Sequence, residues 1–292
     1  MSIFNLGSIN IDNFYAVSHL PRPGETLAAL GHDIGLGGKG ANQSVAAALA
    51  GSQVFHIGAI GPDGAWCADS MKAAGVDVSG VARVQVPTAH ANICVDPEGE
   101  NVIVLFSGAN SCQDLQRIES ILVGAKKGDT LVLQNETNLT FEAAQLAQEY
   151  GLRVIYSAAP FSAEAAAKML PVIDMLVLND VEADQLSCAL GQSVEELDVP
   201  SVLITRGAQG ARLLQRNGPP LQVPAFAVTP VDTTGAGDCF IGYVAAALDQ
   251  GIKPEQALIL ASAASAIQVT QKGTADAMPA RDEVEAFLSA RP

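Results

Sequence analysis

What most narrows the fold of this chain is a rhythm. Short runs of Val, Ile and Leu end in Gly, Asn, Asp or Pro, and Ala-rich stretches with helical spacing follow them. Strands buried on both faces read as continuous apolar runs, and a parallel neighbour is reached only through a crossover, usually a helix. The sequence therefore predicts an α/β fold built on a mostly parallel central sheet. Strands are expected at Ile3–Ile9, Val54–Ile60, Thr130–Gln134, Val154–Ser157, Met175–Leu178 and Val202–Thr205. Helices are expected at Ala41–Ala50, Ala65–Ala74, Thr140–Tyr150, Val181–Leu190, Asp238–Gln250 and Pro254–Val269. In such sheets ligands bind beyond the C-terminal ends of the strands.

Two segments break the rhythm. Thr26–Ile34 and Thr88–Phe106 read as antiparallel strands, the second folded at Asp96-Pro97-Glu98-Gly99 between Ala91–Val95 and Asn101–Phe106. No Pro, Ser or charge-rich linker flanks them. They are expected to form a small sheet, a lid of segments at about 13–36 and 86–108 inserted in a single domain over residues 1–292.

Charge removes several classes of partner. Lys and Arg number 16 against 31 Asp and Glu, a formal net charge of −15 at pH 7, which repels nucleic acids and anionic membranes. The longest tract without charged side chains, Gly40–Pro62, holds Asn42, Gln43, Gln53 and His56, so no transmembrane helix is expected. The first residues show neither a basic segment nor a long apolar run, and a cytoplasmic protein is expected. The five cysteines are scattered, with no C-x-x-C pair, and are read as reduced thiols.

Three constellations carry chemistry. Gly35-Leu36-Gly37-Gly38-Lys39-Gly40 satisfies G-x-G-x-x-G, but the first strand leads elsewhere, and the segment also fails the Walker A pattern. What remains, Gly37 to Gln43, offers bare backbone N–H groups and Asn42 to a polyhydroxylated ligand, or is a tight turn into a helix. Around Asp232-Thr233-Thr234-Gly235-Ala236-Gly237-Asp238, a glycine-flanked turn opens a helix. The amides of Gly235, Ala236 and Gly237 can face charge on a transferred phosphoryl group with Asp238 as general base, or Asp238 simply caps the helix. Asn179 and Glu182 share a helical face after a strand, suited to Mg²⁺ waters or phosphate, or to an N-cap. Asp12 and Glu136, also near strand ends, suit sugar hydroxyls, because a carboxylate accepts from two at once.

Taken together, Gly37–Gln43 and Asp232–Asp238 resemble the two signatures of the ribokinase-like (PfkB) carbohydrate kinases. Gly7 to Asp12, Gly58 to Gly64, Gly99 to Val102, Gly108 to Asn110, Thr205 to Gly207 and Val269 to Gly273 extend the likeness over nearly the whole chain. The resemblance implies a three-layer α/β/α ATP-dependent sugar kinase, with a β-sheet lid that often pairs with a second subunit's lid to make a homodimer. By that resemblance Asp238 is the base and Gly235, Ala236 and Gly237 form the anion hole. Asn10, Asp12, Gly38, Lys39, Asn42 and Glu136 contact the sugar, and ATP with Mg²⁺ lies near Asn179, Glu182, Thr205, Gly207, Gly210 and Ser262. A monovalent cation, usually K⁺, is held at positions matching Asp232, Thr234, Gln268, Gln271 and Gly273.

The likeness has departures. Ribokinases usually carry Asn-Pro-Ala-Pro where this chain has Ser157-Ala158-Ala159-Pro160, a hydroxyl that often completes the cation site falls at Ala277, and Glu195–Pro200 is short. The expected reaction is phosphorylation of a pentose, ribose first. A ketose, a deoxy-acid sugar or a nucleoside is the alternative, decided by lid residues such as His90, Asn92 and Cys94. A silent sugar-binding relative and an NAD-dependent dehydrogenase are the readings from other classes. The lid's outer face is expected to present Ile93, Val95, Val102, Val104 and Phe106 to a second subunit.

Overall fold

A computed structural model describes residues 1–291. Strands β1 (Ser2–Leu6), β2 (Asn10–Ala16) and β3 (Gly31–Gly37) lead into helix α1 (Lys39–Leu49). Then come β4 (Gln53–Ile60), α2 (Ala65–Ala73), β5 (Val81–Arg83), β6 (Ala89–Val95), β7 (Asn101–Phe106) and α3 (Leu115–Leu122). The alternation continues through β8 (Thr130–Leu133), α4 (Thr140–Glu149), β9 (Arg153–Ser157), α5 (Ala163–Met169), β10 (Met175–Asn179), α6 (Asp180–Leu190) and β11 (Ser201–Thr205). After β12 (Ala211–Gln215) and β13 (Leu221–Val223), helices α7 (Ala236–Asp249), α8 (Pro254–Gln268) and α9 (Arg281–Ser289) complete the chain.

The large sheet runs β13-β12-β11-β10-β9-β8-β1-β4-β5. It is parallel from β5 to β11, and β12 and β13 pair antiparallel at one edge. Successive residues of β1 feed opposite layers, as the two-residue period of a strand requires. Ile3 belongs to one apolar core with Val45 of α1, Val244 of α7 and Leu258 of α8, whereas Phe4 and Leu6 belong to the other with Ile118 of α3, Ala144 of α4 and Leu186 of α6. The result is helix, sheet, helix. Among the described residues no helix is long and apolar enough to cross a membrane.

The six expected helices form within two residues of the expected ends, and the expected strands of the large sheet after the first form within one. The N-terminal reading needs correction. The strand expected at Ile3–Ile9 stops at Leu6, and Asn10–Ala16 is a separate strand of the small sheet. Its buried residues, Asn10 and Asp12, are polar, and Asn10 lines a cleft, so the usual apolar alternation is missing. The strand expected at Thr26–Ile34 lies at Gly31–Gly37 instead. Its glycines look like a turn in sequence, yet a Cβ on Gly37 would stand 1.9 Å from an Asp12 carboxylate oxygen, so the strand must be bare there.

The small sheet runs β3-β2-β6-β7. β2 is antiparallel to β3, but it pairs parallel with β6, which the sequence reading did not foresee. β6 and β7 form the expected hairpin, with Ile93 opposite Ile103 and His90 opposite Phe106. This register separates residues that had been grouped. Ile93 and Val95 share the face of Asp12 and Leu105, and Ile93 is buried. His90, Asn92 and Cys94 lie on the other face beside Phe106, Val104 and Val102, so they do not close over the cleft as expected.

Helices α1 and α7 cross at very short range. A Cβ on Gly242 would stand 2.6 Å from the Ala46 Cβ and 2.7 Å from the Gln43 carbonyl oxygen, a separation only glycine permits. Asp238 is one turn before Gly242, and Asn42 one turn before Ala46, so this contact fixes how the two helix starts meet. Gly242→Val should lower the melting temperature by several degrees, since overpacking costs ~1–3 kcal/mol. Gly237→Ala, where a Cβ has no neighbour within 4 Å, should not, and calorimetry on the two variants checks this.

Candidate active site

Helix α7 starts at Ala236, two residues before the expected start, and its N-cap is Gly235 with φ 81°. Asp238 is therefore the third helical residue and not the cap. The first intrahelical bond is made by Cys239 N to Gly235 O at 2.8 Å, while Ala236 N turns back to Thr233 O at 3.3 Å. The N–H groups of Gly237 and Asp238 precede the ladder, at the positive end of the helix dipole.

The Asp238 carboxylate points across to α1. Its Oδ2 accepts from Asn42 Nδ2 at 3.0 Å and its Oδ1 from Gln43 Nε2 at 2.9 Å. Burial pushes this carboxyl above the usual range; nearby Lys39 and the two amides pull it back, and Glu136 adds to the rise. Burial alone would lower the Lys39 ammonium, but Asp238, Glu136, Glu182 and Asp12 together hold it above its ordinary value.

The Gln43 amide is oriented by a buried chain. Gly40 O and Ser44 Oγ accept from Asn5 Nδ2, both at 2.9 Å; Asn5 Oδ1 accepts from Gln134 Nε2 at 3.0 Å; Gln43 Oε1 accepts from the same Gln134 nitrogen at 2.7 Å. A carbonyl at one end and a carboxylate at the other are acceptors only, so each amide has one allowed orientation. Gln43 thus presents its NH₂ group to Asp238. Ser44 continues the network to buried His56, whose pKa burial pushes down to about 4, so this imidazole is neutral.

On the small-sheet side, Glu136 Oε2 accepts from Ser8 Oγ and from Lys39 N, and Lys39 Nζ stands 3.9 Å from Glu136 Oε1. Asn110 accepts from Ile9 N and donates to Asn10 Oδ1 at 2.8 Å, which turns the Asn10 NH₂ outward. Asp12 is buried with Oδ1 unpartnered, and burial together with Glu136 raises its pKa to about 6, against the opposing pull of Lys39.

Two clefts flank the Lys39–Glu136 pair. One, of about 290 Å³, is walled by Asn10, Leu105, Asn110, Asn135 and Glu136. The other, of about 160 Å³, is walled by Lys39, Ser157, Asn179, Thr205, Gly235 and Asp238. A donor-rich helix start, one ionisable carboxylate and two adjoining clefts can hold an anion beside a proton acceptor.

The sequence pattern described as the pfkB family carbohydrate kinase matches residues 2–281. The chain belongs to this family. It is 36% identical to the ribokinase of Haemophilus influenzae over 97% of both chains, and 31% identical to the deoxyribokinase of Salmonella typhi over 99% of both. The solved structure of Arabidopsis thaliana ribokinase complexed with ribose and ATP superposes with a TM-score of 0.84 at 29% identity, covering 98% of each chain. The protein is thus an ATP-dependent carbohydrate kinase of the pfkB family.

Within this pfkB kinase the predicted residues divide. Asn10, Asp12, Gly38, Lys39, Asn42, Glu136 and Asp238 lie around the helix starts and the two clefts, and Asn179, Glu182 and Thr205 reach the smaller one. Asn179 and Glu182 form a full capping box on α6, so the N-cap reading holds for both. Gly207 and Gly210 form the turn between β11 and β12, off the cleft wall, and the Ser262 hydroxyl donates to Pro224 O at 3.0 Å. Ser8, Gln43, Asn110 and Gln134 were not singled out, although Ser8, Gln43 and Asn110 sat inside quoted motifs. Asn135 was also passed over, and its Nδ2 ties the Glu136 loop to Ala158 O and Pro160 O.

Among the described residues no three His, Cys, Asp or Glu side chains converge to hold a metal ion. Mg²⁺ typically keeps several waters and binds through phosphates plus one or two carboxylates, which Glu182 on the cleft wall fits. The expected ring for a monovalent cation does not fit one. The Asp232 carboxylate accepts from Thr234 N and Gly273 N, Thr234 O and Gly273 O accept from Gln268 Nε2, and Gln268 O accepts from Gln271 N.

Asp12 supplies a stability test. Its pKa is pushed up to about 6 in the folded chain from an ordinary 3.8, so the folded chain holds the proton more tightly and this group loses stability as pH rises from about 4 through 6. Asp12→Asn should raise the melting temperature at pH 7, by roughly 2–4 °C per kcal/mol relieved, and change it little at pH 4. Calorimetry at the two pH values reads the difference.

Proposed function

We propose that the enzyme moves the γ-phosphoryl group of ATP to the primary hydroxyl of a pentose, ribose first. The observation that carries this reading is Asp238: a half-buried carboxylate at a helix start, held by two amide donors on the wall of the smaller cleft. The sugar lies under the small sheet, where Asp12, Asn42 and Glu136 accept from hydroxyls and the Asn10 NH₂ and Lys39 donate, with Gly38 making the turn beside them at a φ of 92°, where a Cβ would stand 2.9 Å from Ser8 O. ATP lies along the cleft of Asn179, Glu182 and Thr205, continuing past Gly207 and Gly210 towards Ser262. Mg²⁺, bound with the nucleotide, supplies charge neutralisation at the phosphates.

Asp238 takes the hydroxyl proton as the oxygen attacks. The amides of Gly235, Ala236 and Gly237 then face the charge on the phosphoryl group; Ala236 must release Thr233 O to join them, while Gly237 is already free. Lys39 balances the charge between the two clefts. The acceptor cleft is large for a pentose, and its Asn110, Asn135 and Asn138 amides are bonded to protein groups. That favours a bulkier acceptor, a ketose or nucleoside, as the second reading.

We read residues 1–292 as one kinase domain acting in the cytoplasm as a homodimer. β7 is an unpaired edge whose Val102, Ile103, Val104, Leu105 and Phe106 are all at least 42% exposed. An apolar edge of that length calls for cover, and a second copy of the same sheet provides it.

Asp238→Asn should lose ~10²–10⁴-fold in kcat while still binding sugar; near wild-type turnover would remove the base. ATP turnover across pentoses, 2-deoxyribose, hexoses and nucleosides should peak at ribose, and a peak elsewhere favours the second reading. Val104→Asp should turn the dimer into a monomer by light scattering at micromolar concentration, whereas a monomeric parent protein would remove the dimer.

A further inference from the structure

The loop behind the anion-hole turn is closed by a side chain. Gln268, at the C-terminal end of α8, is fully buried, and its Nε2 donates to Thr234 O at 2.8 Å and to Gly273 O at 3.1 Å. These two carbonyls come from segments far apart in sequence, one just before Gly235 and one after α8. Converging carbonyl oxygens create a region of negative potential that attracts either a cation or an N–H donor. Here the two hydrogens of one amide nitrogen satisfy both.

The surroundings are closed in the same way. Asp232 Oδ1 accepts from Thr234 N at 2.9 Å and Oδ2 from Gly273 N at 3.1 Å, so the carboxylate also ties the two segments together. Gln268 O accepts from Gln271 N at 3.0 Å, and position 277 is Ala, which brings no hydroxyl. Gln268 Oε1, by contrast, is buried without any partner. A buried orphan oxygen is costly for folding, so the side chain is kept here for what its NH₂ group does.

We propose that the Gln268 amide is a tethered replacement for a monovalent cation, shaping the anion-hole turn so that this kinase needs no K⁺. An amide nitrogen between Thr234 O and Gly273 O fills the point where a large monovalent ion would sit, and it holds Thr234 one residue from the Gly235 N-cap. Being covalently attached, it is present at every ionic composition. This inference rests on reading Gly235–Asp238 as the phosphoryl-transfer site; Asp238→Asn tests that reading separately, and thermal melting tests the cation question without turnover.

The experiment compares Na⁺, K⁺ and tetramethylammonium chlorides at matched ionic strength, using ATP and the fastest sugar of the panel. The wild-type enzyme should show kcat equal within about two-fold in all three salts, and a melting temperature that K⁺ does not raise above the others. Gln268→Ala opens the point between the carbonyls. It should lose about 10-fold in tetramethylammonium, less than the ~10²–10³-fold loss of a donor that itself faces the anion, and K⁺ should restore turnover and raise the melting temperature. Gln268→Met, which keeps the bulk but has no donor, should lose turnover in every salt while still melting cooperatively. Specific K⁺ activation or K⁺ stabilisation of the wild type would overturn the proposal. So would a folded Gln268→Ala variant that is fully active in every salt, or one whose loss K⁺ does not relieve.

Discussion

A carboxylate taken out of water stays ionised only where donors and positive charge replace its hydration. Asp238 is such a group, half-buried and with its pKa pushed up by burial, and much of the architecture around the clefts supplies the donors and charge that oppose that rise. The dipole of α7 faces it from below, two side-chain amides of α1 reach it from the side, and Lys39 adds a full charge at the start of α1. None of these groups is its sequence neighbour except the helix that carries it. The site therefore exists only when α1 and α7 are pressed together, and Gly242 against Ala46 sets how closely.

The amides have to point the right way, and a rotatable amide has no preference of its own. The chain from Gly40 O through Asn5, Gln134 and Gln43 supplies one, because acceptor-only groups stand at both ends. Gln134 sits at the end of β8 and Asn5 within β1, so the central sheet itself reports to the carboxylate. The same economy recurs at Asn110, which orients Asn10, and at Gln268, which joins two carbonyls. In each place a short polar side chain does by covalent attachment what a water or ion does elsewhere.

Legibility in sequence followed how local each cause was. The α7 turn was readable because Gly235-Ala236-Gly237-Asp238 is contiguous and its backbone amides need no partner to be free. Asn179 and Glu182 were ambiguous, since a capping box and a ligand site use the same spacing, and the structure shows the cap. β2 was missed because its inward residues are Asn10 and Asp12, which carry no hydrophobic period, and β3 because glycine is what a strand needs when a carboxylate lies against it. The cation ring was carried over from a resemblance between backbone positions, and a resemblance of that kind cannot say where the side chain at position 268 points.

By itself the sequence determined the α/β class, the six main helices, most of the parallel strands, the β6–β7 hairpin and the two glycine-rich turns, because each depends on a repeat or a motif within some twenty residues of chain. The tertiary structure alone decided which face of the small sheet meets the cleft, since a parallel β2–β6 register puts Ala91 and Leu105 inside and His90, Asn92 and Cys94 outside. It also decided that Gln43, Gln134 and Gln268 matter. Their effect comes from the direction of an amide in space, and that is fixed by partners between 5 and 195 positions away.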